Sequence, residues 1–301
     1  MSKAQVLIIA DSISQEGKRI TTFQLRYWRG IHSELMAHRV FSRNAGSSRA
    51  RPSGKIIEQV INDPWGPIHW GKNEPGMQAN AELEGVALDI AKNAWRDAAY
   101  AAGHRAKTML VHGVHKQIVN RLLEPFTYID VVVTATDYAN WFALRDHKDA
   151  QPEIQELARM MRDAMNVSIP KLLKPGEWHL PYITKEDWEA AYEYALNHGG
   201  LGDEDAALEL LKKASAARCA RVSYKLFDGS NANFEKDLEL FNRLLVSQPL
   251  HASPAEHIAS PDVLVDSAWQ QPKLHGNLHG WVQYRRTLSG GICDTKSNSR
   301  V

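Results

Sequence analysis

Residues 37–52 read Ala-His-Arg-Val-Phe-Ser-Arg-Asn-Ala-Gly-Ser-Ser-Arg-Ala-Arg-Pro, and these sixteen positions hold one histidine, three serines, one asparagine and four arginines. Guanidinium groups present planar forks of donors that match phosphate or carboxylate oxygens. The small residues Ala45, Gly46, Ser47 and Ser48 let a ligand come close to the backbone. Only Val40 and Phe41 are sizeable apolar residues, and no amphipathic period continues past Phe41, so the stretch is not the outer face of a surface helix. Its chemistry is that of an anion site. A solvated basic loop would have the same composition.

The spacing says more than the composition. His38, Arg39, Ser42, Asn44, Ser47 and Arg49 spell His-Arg-x-x-Ser-x-Asn-x-x-Ser-x-Arg, six fixed positions over twelve residues. This resembles the signature of the flavin-dependent thymidylate synthases, Arg-His-Arg-x-x-Ser-x-Asn-x-x-Ser-x-Arg-Tyr. Here Ala37 stands for the leading Arg, Ala50 for the closing Tyr, and Ala45 for a Glu often found between Asn and Ser. The resemblance implies that His38, Arg39, Val40 and Asn44 contact a flavin, and that Ser47, Ser48 and Arg49 contact a nucleotide. Ser47 has no visible base partner, as an activated serine nucleophile would need, and is expected to bind substrate.

Further segments resemble the same family. Asn140, then Leu144-Arg145, then Ala150-Gln151-Pro152-Glu153-Ile154-Gln155 match its Asn-x-x-x-x-Leu-Arg and Ala-Gln-x-Glu-Ile-Gln. That makes Asn140 a flavin contact and Arg145 the catalytic substrate contact, a guanidinium able to stabilise negative charge on a pyrimidine ring. On residue type alone, Arg145 reads first as an arginine neutralising a helix C-terminus, and it is the motif match that favours a functional role. Residues 120–125 resemble the family's Ala-Arg-x-x-Leu-Pro and make Arg121 a second nucleotide candidate, while Thr134 and Thr136 fall along the expected flavin.

Two blocks stand out of order. Arg221-Val222-Ser223-Tyr224 and His251-x-x-Pro254-x-Glu256-His257 resemble the family's amino-terminal segments, yet lie near the carboxyl end. Gly280 to Arg286 resembles the helix before the basic motif, as residues 20–39 also do. A circular permutation accounts for this order where termini lie close together. It places Ser223, His251, Ser253 and Arg286 at the flavin and Gln283 at the substrate, with Gln283 and Arg286 supplying groups missing from Ala37. As an isolated residue, His251 or His257 would be ordinary polar surface.

The elements needed to position these residues follow from periodicity. Strands are predicted over 5–10, 20–27 (Phe23, Leu25 and Tyr27 on one face) and 127–134. Helices are predicted over 33–39, 80–102, 115–123, 137–145, 152–165, 185–197, 203–217 and 234–246. In the second of these Leu83, Val86, Ala87, Ile90, Ala94 and Ala98 form an apolar stripe that should face the core. Thr184 with Asp187 makes a capping box. The tail 293–301 is polar and expected to fray. The fold class expected is α+β, an antiparallel sheet flanked by long helices, in one domain over 1–301 with a helical insertion over 170–214.

Composition bounds the function. Thirty-six basic residues against 35 acidic leave no global field favouring nucleic acid or anionic membrane, so any anion must be held locally. Cys219 and Cys293 lie far apart and fit no metal or disulfide spacing. Residues 6–10 form a short apolar run ended by Asp11, more like a strand than a signal peptide. No apolar stretch is of bilayer length, and a cytoplasmic location is expected. The resemblance implies FAD, NADPH and methylenetetrahydrofolate acting on dUMP in a homotetramer with shared sites. The alternative, of the kind phages use for modified pyrimidines, is hydroxymethyl transfer to dUMP or dCMP. From other classes, Arg39, Arg43, Arg49 and Arg51 could bind nucleic-acid phosphates, or His275 and His279 a metal.

Overall fold

The computed structural model describes residues 3–76, 78–79, 81–198, 204–222, 233–246 and 251–288. Its centre is a five-stranded sheet in the order β3-β4-β2-β1-β5. The strands are β1 (Gln5–Ser14), β2 (Arg19–Trp28), β3 (Ser42–Ala45), β4 (Tyr128–Ala135) and β5 (Lys171–Leu173). All neighbours are antiparallel except β1 and β5, so the architecture is the expected α+β with an antiparallel-dominated sheet.

The alternation in β2 decides the layers. Phe23, Leu25 and Tyr27 point to one face, where Val131 and Val133 of β4 join them. That face is covered by α1 (His32–Met36), α5 (Ala139–Arg145) and α6 (Pro152–Val167), contributing Leu35, Trp141, Ile154, Leu157 and Met161. Before α5 come α2 (Ser53–Asn62), α3 (Gly85–Val111) and α4 (Lys116–Val119). The opposite face carries Ser12, Thr22, Ser42, Asn44 and Thr134, a polar set for the middle of a sheet. It is covered too, by the carboxyl-terminal half: α7 (Lys185–Asn197), α8 (Glu204–Arg221), α9 (Phe234–Phe241), and residues 251–288 with short strands β6 (Ala259–Pro261), β7 (Leu264–Val265), β8 (Ala268–Trp269), β9 (Trp281–Gln283) and a turn of helix α10 (Tyr284–Thr287). Ile20, Ala259, Leu278 and Trp281 pack where the two halves meet.

Several predicted bounds move. β1 runs on to Ser14 because its second half pairs with β2 and β5. The helix expected over 115–123 divides into α4 and a 3-10 turn, Asn120–Phe126, that carries Pro125 instead of stopping before it. α8 extends to Arg221, so Arg218 and Cys219 are helical. The segment after α9 is a π-type turn, Asn242–Val246. α7 matches its prediction and keeps the capping box. The tail 293–301 lies outside the described residues.

The stripe predicted for α3 does not face the core. Val86 is 75% exposed and Ile90 63% exposed. The buried side is Ala99, Gly103 and Ala106, packed on Ile56, Ile57 and Val60 of α2. Small residues won because α2 lies close: a Cβ at Gly103 would stand 2.5 Å from Ile61 Cγ1. Helix-to-helix distance, not apolar count, chose the face.

An ion cluster ties the helical layer together. Arg218, 3% exposed, donates from Nε to Asp237 (2.8 Å) and from Nη1 and Nη2 to Asp187 (2.6 Å each), while Arg221 pairs with Asp237. Removing Arg218 leaves Asp187 without its guanidinium and the wholly buried Asp237 with Arg221 alone. Arg218→Ala should lower the urea-unfolding free energy by about 3–5 kcal/mol; a loss under about 1 kcal/mol would show the cluster to be incidental.

Candidate functional site

The basic motif occupies the turn after α1, strand β3 and a 3-10 turn, Ser48–Ala50. Two of its arginines are spent on its own shape. Arg43 donates from Nη1 to the carbonyls of Met36 (2.7 Å) and His38 (2.9 Å). Arg51 donates to the Tyr128 hydroxyl (2.8 Å) and lies over that ring. Of the four arginines offered above for nucleic acid, these two are therefore committed internally. Arg39 and Arg49 are exposed, with no side-chain partner among the described residues. Asn120 completes the brace, donating to the carbonyls of Ser48 (2.7 Å) and Arg51 (3.1 Å).

His38 and Arg145, 107 positions apart, meet. Arg145 Nε donates to His38 Nε2 at 3.1 Å, which places the histidine proton on Nδ1. The imidazole lies between Phe41 (5.7 Å, stacked) and Trp141 (4.8 Å, edge-on). Burial, then the charges of Arg145 and Arg43, hold its pKa below the usual value, so it stays a neutral acceptor. Arg145 Nη1 also stands 3.7 Å from Glu34 Oε2. The guanidinium is thus pinned at one edge, while its side chain keeps 23% exposure for a ligand. A positioned, partly desolvated guanidinium can stabilise an anion that develops beside it.

The carboxyl-terminal layer reaches the same strand. The Asn44 amide lies 3.3 Å from Ser253 Oγ and 3.0 Å from His257 Nε2. Asn277 donates to the Val40 carbonyl (2.8 Å) and Ser42 Oγ (3.0 Å), and accepts from Gln283 Nε2 (2.9 Å). Arg286 is half-buried, and its Nε has no partner among the described residues. Gly276 at φ +60° allows this approach, since a Cβ there would stand 2.7 Å from Gln283 Oε1.

Other expected site residues are placed differently. Thr134 has no exposed surface and hydrogen-bonds within the fold, so it touches no ligand directly. Gln283 is 2% exposed and braces Asn277, and the Gly280–Arg286 segment is β9 plus one turn instead of a helix. Ser48 is buried and donates to Glu124 (2.7 Å), which also holds Arg121 (3.1 Å) and Arg29 (3.0 Å). Ser47 caps Arg49 N on the exposed side, Thr136 is half-buried, and Asn140 and His251 are exposed. Val40, 46% exposed, contributes its carbonyl. Ser223 lies outside the described residues. His257, read as polar surface by residue type, is fully buried.

Sequence reasoning missed Asn277, Glu124 and His179, which bonds Ser12 (2.9 Å) and Thr22 (2.7 Å). Thr22 and Thr134, each beside apolar residues of β2 and β4, were the available signal that buried partners exist. The metal pairing fails: His275 Nε2 is bonded to Asp262 (2.8 Å) and Nδ1 accepts from Gly280 N–H (3.1 Å). No metal-ligating group forms among the described residues. The larger clefts lie elsewhere, one of about 250 Å³ between Trp28, Trp65, Trp70 and Lys92.

Burial drives the His179 and His257 pKa values from 6.5 to about 3. Below about pH 6.5 the unfolded chain binds protons that the native state refuses, so stability falls from there towards pH 3. Each ring contributes up to about 1.4 kcal/mol per pH unit in that window. Urea midpoints should accordingly drop between pH 7 and 5; a flat profile would contradict neutral burial.

A family model described as Thymidylate synthase complementing protein matches residues 20–171. No curated protein matches the chain. Among solved structures it is similar to a UMP/dUMP methylase, PolB, from Streptomyces cacaoi bound with 5-Br UMP, at 18% identity and TM-score 0.44 over 55% of this chain and 89% of that one. It is also similar to Thymidylate Synthase X (ThyX) from Helicobacter pylori with FAD and dUMP, at 17% identity and TM-score 0.33 over 48% and 67%.

Proposed function

The chain belongs to the thymidylate synthase complementing protein family, and from that premise we propose that it is a flavin-dependent enzyme that methylates dUMP to dTMP. The observation that carries this reading is the His38–Arg145 contact (3.1 Å), which joins two separate family motifs inside the matched span.

The residues present suit the groups implied. Arg39 and Asn140 are exposed donors, and Arg286 keeps a buried Nε without a partner among the described residues, which fits an anionic, carbonyl-rich cofactor such as FAD. Bound FAD would carry hydride from NADPH, and methylenetetrahydrofolate would supply the carbon. Arg49, with Ser47 beside it, takes the nucleotide phosphate. Arg145, held at Nε by neutral His38 and at Nη1 by Glu34, leaves Nη2 for negative charge on the pyrimidine. Arg43, Arg51 and Asn120 keep the loop in one shape, so little ordering is needed on binding.

The open arrangement of Arg39, Arg49 and Asn140, with the exposed Val86 and Ile90 on α3, favours a homo-oligomer, proposed as a tetramer, in which a second copy completes the site. Residues 251–288, outside the matched span yet packed on β3, support a circularly permuted single domain with residues 170–214 inserted. No helix among the described residues is long and apolar enough to cross a membrane; a cytoplasmic enzyme is proposed.

Ala45, exposed where family members often carry Glu, favours one second outcome: hydroxymethyl transfer to dUMP or dCMP. Product mass separates the two. The reconstituted protein should be yellow, bleach with NADPH, and add 14 mass units to dUMP (a CH2 group; roughly 30 for hydroxymethyl), all consistent with cofactor-borne chemistry. Arg145→Ala should cut kcat/KM by about 1.5–3 kcal/mol, roughly one to two orders of magnitude. Arg286→Ala should weaken FAD binding by a similar amount. Full activity in Arg145→Ala, or a protein that takes up no flavin, would overturn the assignment.

A further inference from the structure

The polar face of the sheet holds an unbroken hydrogen-bonded run across four strands. Ser12 Oγ lies 2.9 Å from His179 Nδ1, and His179 Nε2 lies 2.7 Å from Thr22 Oγ1. Thr22 Oγ1 meets Thr134 Oγ1 at 2.7 Å, Thr134 Oγ1 meets His257 Nδ1 at 2.8 Å, and His257 Nε2 meets the Asn44 amide at 3.0 Å. His179, Thr22, Thr134 and His257 are at most 1% exposed, so water does not complete the bonding between the two ends of the run, Ser12 and Asn44.

Counting hydrogens restricts the run. A neutral imidazole has one donor and one acceptor, and a hydroxyl has a single hydrogen to give. If the two rings carried their protons on unlike nitrogens, one link would fail. Either Thr22 and Thr134 would face each other at 2.7 Å with no hydrogen between them, or one would hold a hydrogen with nowhere to go. Both are costly in a buried site. Only two arrangements satisfy every link: both rings protonated on Nδ1, or both on Nε2.

Asn44 selects between them. With its amide nitrogen towards His257, that nitrogen reaches His257 Nε2 (3.0 Å) and the carbonyls of Arg43 (3.2 Å) and Ser253 (3.3 Å). Carbonyls cannot donate, so the nitrogen belongs there. His257 Nε2 then accepts, and the hydrogens run from Asn44 through both threonines to Ser12. The Asn44 oxygen is left beside Ser253 Oγ, on the half-buried side of the motif.

We infer that this run is a polarised wire in which His257, Thr134, Thr22 and His179 are positioning residues, fixing Asn44 so that the motif offers its ligand a carbonyl oxygen and recognises a hydrogen-bond-donating edge. Both rings are neutral over the working pH range because burial holds them far below ordinary histidine values. The ligand being a flavin or pyrimidine rests on the function proposed above; the proton arrangement does not.

The test is nitrogen NMR, by magic-angle spinning, on full-length protein labelled with 15N-histidine, the two rings being assigned from His179→Gln and His257→Gln. Both should carry the proton on Nδ1. Asn44→Asp, whose carboxylate only accepts, should convert both to Nε2–H, including His179, which does not touch Asn44. Adding Thr22→Val should leave His257 converted while His179 no longer follows. Unlike tautomers in the wild-type protein, a His179 deaf to Asn44→Asp, or one that still follows across Thr22→Val, each overturns the wire. For the positioning role, Thr22→Val should weaken FAD binding several-fold and Thr22→Ser should restore it. Equal FAD affinity in wild type and Thr22→Val overturns that role. Wild-type protein that takes up no FAD speaks against the proposed function alone and leaves the NMR result standing.

Discussion

A sheet buried on both faces, one of them polar, is the constraint on which this molecule depends. Ser12, Thr22, Ser42, Asn44 and Thr134 project from neighbouring strands into a layer closed off by His179, α8 and residues 251–288. Burying hydroxyls without partners is costly, so the covering layer has to bring donors and acceptors with it. It brings His179, His257 and Asn277, each bonded to residues of the sheet. The carboxyl-terminal half is therefore not an appendage. Without it, β3 and β4 would present unsatisfied groups where the basic motif needs a rigid floor.

That floor explains the division of labour within the motif. Donors that point inward (Arg43, Arg51, Ser48) are consumed by backbone carbonyls, Tyr128 and Glu124. Donors that point outward (Arg39, Arg49) are left for a ligand. Arg145 belongs to both groups, tethered at Nε and open at the far edge. A guanidinium fixed this way loses less freedom on binding an anion than one on a mobile loop.

Neutrality recurs through the site. His38, His179 and His257 are all held below ordinary histidine pKa values by burial, with Arg145 and Arg43 adding to the effect at His38. They serve as oriented hydrogen-bonding groups, while guanidinium groups supply positive charge at the motif.

The residue pattern alone determined the α+β class, the two faces of β2, the capping box at Thr184, and the family, because these rest on local periodicity and fixed spacing. His-Arg-x-x-Ser-x-Asn-x-x-Ser-x-Arg is readable in one dimension, as is the separate Leu144-Arg145. Spacing could not say which face of α3 would be buried, since both sides carry apolar residues and only the approach of α2 to Gly103 chose between them. Nor could it reveal that Thr134 and Gln283 work inward, or that His179 and His257 would meet two threonines from different strands. Those pairings span 157 and 123 positions, and contacts that distant exist only once the layers have closed.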